Sequence, residues 1–587
     1  MTASLETSPL FLRWSQHVPS SDVLDPLGLE LRGSARLGSE LLYCITSITP
    51  RARYFSYIPW CIYDYQQHEK GLPYALGLRD AIVLREQGLT LGCIAHHKGK
   101  PCEGGALIGS RDAIKWFVKG HNQANFRKMK KFSKNPAMAA YFNSLVNLGF
   151  FVTPEPLPDV DDESNTDDLT FDSIELTKLG LDLAKRYESA VGKIKVRQQL
   201  VSKDRACSLY NLAELGKLGG LCELSNDSSS DRELLREIFF GLVETKGESH
   251  QVRRQSLLLI LELCRQLSSK RCSLNGSNFA AAVYFGVIVE DGTPFQVTFP
   301  KELLDIATRW RMFYFHYYMS VALEGMFAWL VSHLGELRLE GATIDSLTRQ
   351  LGDVSLRRNL SSIFEIRLQQ TFADMTPATF FSVSGLTAGN LEITLSRNLD
   401  AMIRGPSPLA ENVIESLIRS NKYLYSSTGF ALPLILLATT LARFTQWETT
   451  NYGHWLADVA SDPFLDLVPP LLTTGLARRF GDWWNCTWQQ TSSFVLSRYI
   501  IQQHQSMSYE KTSTGDRCLL QIDGQKVFSP GGFDEFGIGN PRLGSAIQIL
   551  KDIGLLEDDE DTVTRLTTEG KKLLNKELRR EVNNEIS

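Results

Sequence analysis

A chain of 587 residues is too long for one hydrophobic core, and its length sets an expectation of about three or four domains. The 43% hydrophobic and 22% charged residues make an ordinary globular composition, and the net charge of −5 excludes a chain that is basic throughout. Any nucleic-acid contact therefore has to come from a local patch.

In chain order, residues 1–109 form a Gly- and aromatic-rich region with short apolar runs such as ELLYCIT and RYFSYIPWCIYDYQ. The opening MTASLETSPLFLRWSQ lacks the basic start and apolar core of a signal peptide, so a cytoplasmic protein is expected. DPLGLELRGSARLGSELL sets two arginines among glycines and reads as more loop than helix. Residues 110–192 form a second unit, with an acidic, Pro- and Ser-rich loop at 154–172. From 205 to 510 apolar residues recur at three- and four-residue spacing, predicting a large helical body. Its longest helix starts near Pro300, and the aromatic run RWRMFYFHYYM within it reads as core. GFALPLILLATTLA (429–442) is shorter than the roughly 20 residues of a membrane span, so a buried helix and no membrane contact are expected. Residues 515–587 open with the alternating CLLQIDGQKVFS and the turn-rich PGGFDEFGIG. The ten cysteines stand singly, which fits reduced thiols rather than a disulfide framework.

One sentence of sequence occurs twice. NPAMAAYFNSLVNLGFF (135–151) and NPRLGSAIQILKDIGLL (540–556) both begin Asn-Pro and reach a Gly fourteen residues later. Each is followed, after acidic residues, by LTxxGxxL. Asn ahead of Pro predicts a capped helix start, and Gly149 and Gly554 predict a left-handed helix end. Short apolar strands then flank an acidic hairpin, and Thr177 or Thr567 is expected to cap a last helix. Helix, strand, hairpin, strand and helix in this order resemble the second half of winged-helix regulators of the MarR type. The expected architecture is thus mainly α and multidomain, with two winged-helix-like units (α with a small β-hairpin) flanking a helical body.

The resemblance implies DNA contact, but the charges qualify it. Residues 152–175 hold nine acids and no Lys or Arg, and the second wing tip is EDDED (557–561). A wing against phosphates should be basic. The first candidate recognition helix is uncharged and offers only Asn143, Ser144 and Asn147, while the second offers Arg542, Gln548 and Lys551. The segment KGHNQANFRKMKKFSKNP carries Lys119, Arg127, Lys128, Lys130, Lys131 and Lys134 without an acid, with Phe126 and Phe132 interleaved. It is the candidate phosphate-contacting arm; a solvated helix face and pairing with the acidic wing are its alternatives.

No catalytic residue is assigned and no cofactor is expected. CIAHHKGKPC places Cys93, His96, His97 and Cys102 within ten residues, a weak metal-ligand candidate without a matching second pair, with Cys61 and His68 as the nearest extra ligands. In VETKGE, Glu244 and Lys246 have the spacing of a nuclease Glu-x-Lys, but the helical RELLREIFFGLVE beside it opposes the strand this chemistry needs. GIGNPRLG puts Arg542 in the third glycine position of a dinucleotide fingerprint, so it is not one.

Two further stretches, ARLGSELLYCITSITPRARYFSYIPWCIYDY and RWRMFYFHYYMSVALEGMFAWL, resemble parts of uncharacterised bacterial proteins encoded in antiphage-defence loci. That resemblance implies a subunit acting beside separate motor and nuclease proteins. The expected function is a non-catalytic, nucleic-acid-associated subunit or scaffold, with DNA and other protein subunits as partners. A pure protein-interaction scaffold and a metal-dependent enzyme using the Cys93–Cys102 loop are the alternatives.

Overall fold

The computed structural model describes residues 25–102, 104–133, 136–152, 174–225, 230–243, 247–290, 293–337, 340–384, 410–448, 468–510, 518–530, 542–559 and 563–586. Among them 66% are helical and 7% lie in small strand pairs, so the protein is mainly α and multidomain, as the sequence periodicity predicts. The acidic segment 154–172, the turn 531–539, Asn135, Asn540 and Glu244–Lys246 of the nuclease-like spacing lie outside the described residues.

The N-terminal layer begins with a turn of π-helix, Glu30–Ser34, running into α1 (Ala35–Leu41). The expected loop is therefore helical here. Gly33 is explained by packing, since a Cβ there would lie 2.0 Å from the His316 ring. Next come α2 (Tyr54–His68), α3 (Leu78–His96), α4 (Ser110–Val118) and β1 (Gln123–Asn125). The first repeat supplies α5 (Ala137–Asn147), β2 (Phe151–Val152), β3 (Glu175–Leu176) and α6 (Lys178–Val191). Then follow α7 (Lys195–Val201), β4 (Ala206–Ser208) and α8 (Leu209–Gly219).

In this layer α2 packs on α6, and α3 on α8. A buried ionic network ties the layer together. Arg85 meets Asp64 at 2.7 Å and Glu69 at 2.9 Å, Arg205 meets Glu69 at 2.7 Å, and Arg197 reaches both Asp64 and Glu188 at 2.5 Å. Such charges are tolerable away from water only because several partners share them.

The helical body is built on α9 (Asp231–Phe239), α10 (Glu248–Ser269) and the 34-residue α11 (Leu304–Leu337), with α12 (Ala410–Arg419) and α13 (Ser427–Glu448) against it. Helix α11 has no polar face through its middle, and Trp310, Phe313, Tyr314, Phe315 and Tyr318 are all buried. The aromatic run is core, as the sequence suggested. Residues Ser427–Thr445 of α13 are long and apolar enough to cross a membrane, but 83% of that window is buried inside the fold. Near the C-terminus the alternating stretch forms a hairpin of β5 (Gln521–Asp523) and β6 (Lys526–Phe528), and β6 also pairs with Ala342 and Thr343 of the body. The second repeat is α14 (Leu543–Asp552), β7 (Leu556–Asp558), β8 (Thr564–Leu566) and α15 (Thr568–Ile586).

The two repeats match atom for atom at their shared motif. Gly149 and Gly554 end their helices at φ +75° and +72°. The Thr177 hydroxyl donates to the Gly149 carbonyl at 2.6 Å and accepts from Gly180 N at 3.1 Å. Thr567 donates to Gly554 O at 2.8 Å and accepts from Gly570 N at 3.0 Å. The Gly of LTxxG is fixed by close approach: a Cβ on Gly180 would sit 2.3 Å from Phe150 O, and one on Gly570 2.2 Å from Leu555 O. The hairpins also share a register, Phe151 opposite Leu176 and Leu556 opposite Leu566.

The helix starts differ from expectation. Pro136 is itself the N-cap of α5, and the Ala137 and Met138 amides are satisfied by the buried carboxylate of Glu86, each at 2.8 Å. The capping oxygens thus come from α3 across the fold. Helix α14 begins after Arg542, whose φ is +57°, so the second Asn-Pro precedes a left-handed turn instead of opening the helix.

Candidate nucleic-acid interface and a cysteine–histidine cluster

The basic segment is a displayed loop. Strand β1 pairs antiparallel with β4, Ala124 opposite Cys207, and Phe126 N donates to Arg205 O at 3.0 Å. The amides of Lys128 and Met129 then both fold back onto Asn125 O at 3.0 Å. Arg127, Lys128, Lys130 and Lys131 are exposed, and so is Lys119 at the end of α4; Lys134 lies outside the described residues. Phe126 is only 6% exposed and Phe132 is packed against the core, so these rings anchor the loop and Phe126 cannot stack on a base. Lys131 pairs with Asp80 at 3.1 Å, both well exposed, a contact of little strength in water. Among the described residues no acid pairs with Lys119, Arg127, Lys128 or Lys130.

The two candidate recognition helices are placed unlike each other. Helix α5 buries Met138, Tyr141, Ser144 and Leu145 and leaves Ala139, Asn143 and Asn147 exposed. Helix α14 buries most of its surface, including Leu543, Ala546, Ile549, Leu550 and Asp552. Arg542 donates to Ile45 O and Ala35 O, at 3.4 and 3.5 Å, and burial lowers its pKa. Lys551 is held by Asp558 of the following hairpin at 2.6 Å. Gln548 donates to Asp552 at 2.8 Å. Asp558 and Asp559 of the second hairpin thus serve internal bonds, Asp558 also accepting from the Thr564 hydroxyl at 2.7 Å and Asp559 from the Val563 amide at 2.8 Å.

Both helices converge on one short segment, residues 51–52. The Arg51 amide donates to the Tyr141 hydroxyl of α5 at 3.0 Å, and that hydroxyl donates back to Arg51 O at 3.2 Å. The Arg51 guanidinium donates to Asp552 of α14 at 2.9 Å, and Ala52 N donates to the same oxygen at 2.9 Å. Burial raises the Asp552 carboxyl despite the Arg51 charge beside it. The pair is therefore well formed in geometry but costly in desolvation.

The Cys-His stretch is partly helical and folds back on itself. Cys93 and His96 lie on α3, His97 is its C-cap, and Lys98 and Gly99, at φ +54° and +89°, reverse the chain so that Cys102 returns. The close partner is Cys222. The His97, Cys102 and Cys222 ligand atoms all lie within 4.8 Å of one another, with His97 Nε2 3.1 Å from Cys222 Sγ. Cys102 accepts hydrogen bonds from the Cys222 and Cys93 thiols, which hold its thiol well below the usual range, with Arg51 adding to the effect. The same bond and burial push Cys222 up. His96 turns away to Glu223, 3.4 Å from Nε2.

Two glycines bring these pieces together. A Cβ on Gly92 would lie 2.5 Å from Leu212 O, and one on Gly216 2.0 Å from Gly92 O, so α3 and α8 cross backbone to backbone. The turn after α8 then delivers Cys222 beside Cys93. Cys61 is buried elsewhere in α2, and His68 contacts Arg197, so neither belongs to the cluster. Cys222 escapes a sequence reading because it is 120 residues beyond Cys102 and has no paired cysteine beside it. Cys222 also borders a cleft of about 810 Å³ lined by Arg51, Arg232, Lys551, Asp552, Glu569 and Lys572, among others. No protein-family model, curated protein or solved structure matches this chain.

Proposed function

We propose that this chain is a non-catalytic, nucleic-acid-associated subunit or scaffold of a bacterial multiprotein complex, working in the cytosol and holding DNA through the basic segment ahead of α5. The observation that supports it is the set of exposed cations Lys119, Arg127, Lys128 and Lys130 on a loop fastened to the core by β1–β4 pairing and by Phe126. A loop already ordered loses little conformational entropy when it meets phosphates. The second repeat is the weaker DNA candidate, because Arg542 and Lys551 have intramolecular partners. Binding is to be measured by fluorescence anisotropy on a short duplex over a range of salt. Neutralising about four or five phosphates gives a slope of roughly −4 in log K against log salt. Reversing Arg127, Lys128, Lys130 and Lys131 to Glu should abolish binding. Wild-type protein that binds no DNA at low salt refutes the DNA half of the reading.

One observation favours protein contact by the first repeat. The exposed face of α5 is uncharged, and the neighbouring Val152 is 51% exposed. Capture of a partner chain in the absence of nucleic acid, lost on Asn143→Arg, supports that use.

A further inference from the structure

We propose that Cys93, His97, Cys102 and Cys222 together bind one zinc ion in a closed tetrahedral site that fastens the end of α3 to the turn after α8. Three thiolates and an imidazole are a preferred donor set for zinc, which favours soft sulfur and four-coordination. Zinc–sulfur and zinc–nitrogen bonds of about 2.3 and 2.0 Å put tetrahedral ligand atoms roughly 3.5–3.8 Å apart. The His97, Cys102 and Cys222 atoms, within 4.8 Å of one another, need only a small contraction to reach this. Cys93 is the fourth ligand of the proposal: it is fully buried, and its Sγ lies 3.4 Å from where a Cβ on Gly220, two residues before Cys222, would stand; it falls outside the group of three and joins it only by a further shift. With Cys93 in place no coordination position remains for water or substrate, so the ion is structural.

The surroundings suit the charge of such a centre. Three thiolates and one divalent ion leave a net single negative charge. The Arg51 guanidinium, 1% exposed and already paired with Asp552, stands near Cys102, and its field offsets part of that charge. Because Arg51 also holds Asp552, the centre is linked through one side chain to the second repeat. The cluster joins residues more than a hundred positions apart, so the ion adds a long-range restraint where α3 and α8 already meet at Gly92 and Gly216.

The test uses the full chain, purified under reducing conditions without added chelator. Elemental analysis should find about one zinc per chain, since structural zinc sites are normally filled. X-ray absorption should find about three sulfurs near 2.3 Å and one nitrogen near 2.0 Å. Cys222→Ser and His97→Ala should lose the metal, whereas His96→Ala, whose imidazole faces Glu223, should keep it. Cobalt added to stripped protein should give the visible bands of a tetrahedral thiolate site. Wild-type protein holding less than about half an equivalent of zinc, with its thiols freely alkylated, overturns the proposal. So does an intact mass showing Cys102 in a disulfide with Cys93 or Cys222. A Cys93→Ser variant that keeps full zinc and an unchanged absorption spectrum overturns the four-ligand form. The wild-type measurements do not depend on any variant folding, and none depends on DNA binding.

Discussion

Replacing Asp552 by alanine should loosen both repeats at once. The substitution removes the acceptor of Arg51 Nε at 2.9 Å, Ala52 N at 2.9 Å and Gln548 Nε2 at 2.8 Å, and leaves a guanidinium 1% exposed. Breaking a buried pair from one side costs about 3–5 kcal/mol, mostly because the remaining charge stays buried. Because both charges are desolvated in forming it, such a buried pair is in general worth little more than an apolar pair of similar volume. Arg51→Met with Asp552→Leu should therefore recover much of the loss, giving a coupling of about 2 kcal/mol or more. A multidomain chain does not unfold in one step, so native-state hydrogen exchange is the suitable assay. In Asp552→Ala a loss of about 3 kcal/mol accelerates exchange roughly a hundredfold in peptides covering α14 and also α5, because Tyr141 is held by the same segment. Unchanged protection in α5, or single effects that simply add in the double variant, would refute the idea that residues 51–52 join the repeats.

Glu86 gives a pH-dependent expectation. Burial raises its carboxyl from 4.5 to about 7 in the folded protein, even though the Ala137 and Met138 amides oppose the shift. Between those values the folded state holds a proton that the unfolded state has released, so stability falls as pH rises from about 4.5 to 7. The span amounts to about 3 kcal/mol at 1.36 kcal/mol per unit. Glu86→Gln should flatten the melting temperature against pH in that window; a wild-type slope retained in the variant sinks the assignment. Gly180→Ala and Gly570→Ala form a second test, in which the sign is decisive. In an open helix such changes gain up to about 1 kcal/mol, but here each Cβ would meet a backbone carbonyl oxygen at 2.2–2.3 Å. Both should lose about 2 kcal/mol or more, read as a drop in local exchange protection, and a gain at either site would show that the repeats are not equivalent there.

Local chemistry was legible along the chain wherever it depends on neighbours in sequence. Helical periodicity, the buried aromatic run at 310–318, the left-handed Gly149 and Gly554, and the capping Thr177 and Thr567 all follow from spacing within a few residues. What failed was read from the same local rules where a distant group decides. The Ala137 and Met138 amides of α5 are satisfied by Glu86 of α3, and Gly33 serves close packing on His316 instead of a loop.

The sequence by itself determined a mainly α chain with a repeated helix–hairpin–helix unit and one cationic segment, because amphipathic period, caps and charge are local properties. Only the tertiary structure decided which cations are exposed and which are bound, since Arg542 and Lys551 find partners through the fold while Arg127 and Lys128 have no acidic partner among the described residues. It also brought Cys222 to Cys102 and His97, a meeting set by the backbone crossing at Gly92 and Gly216 that no spacing along the chain encodes.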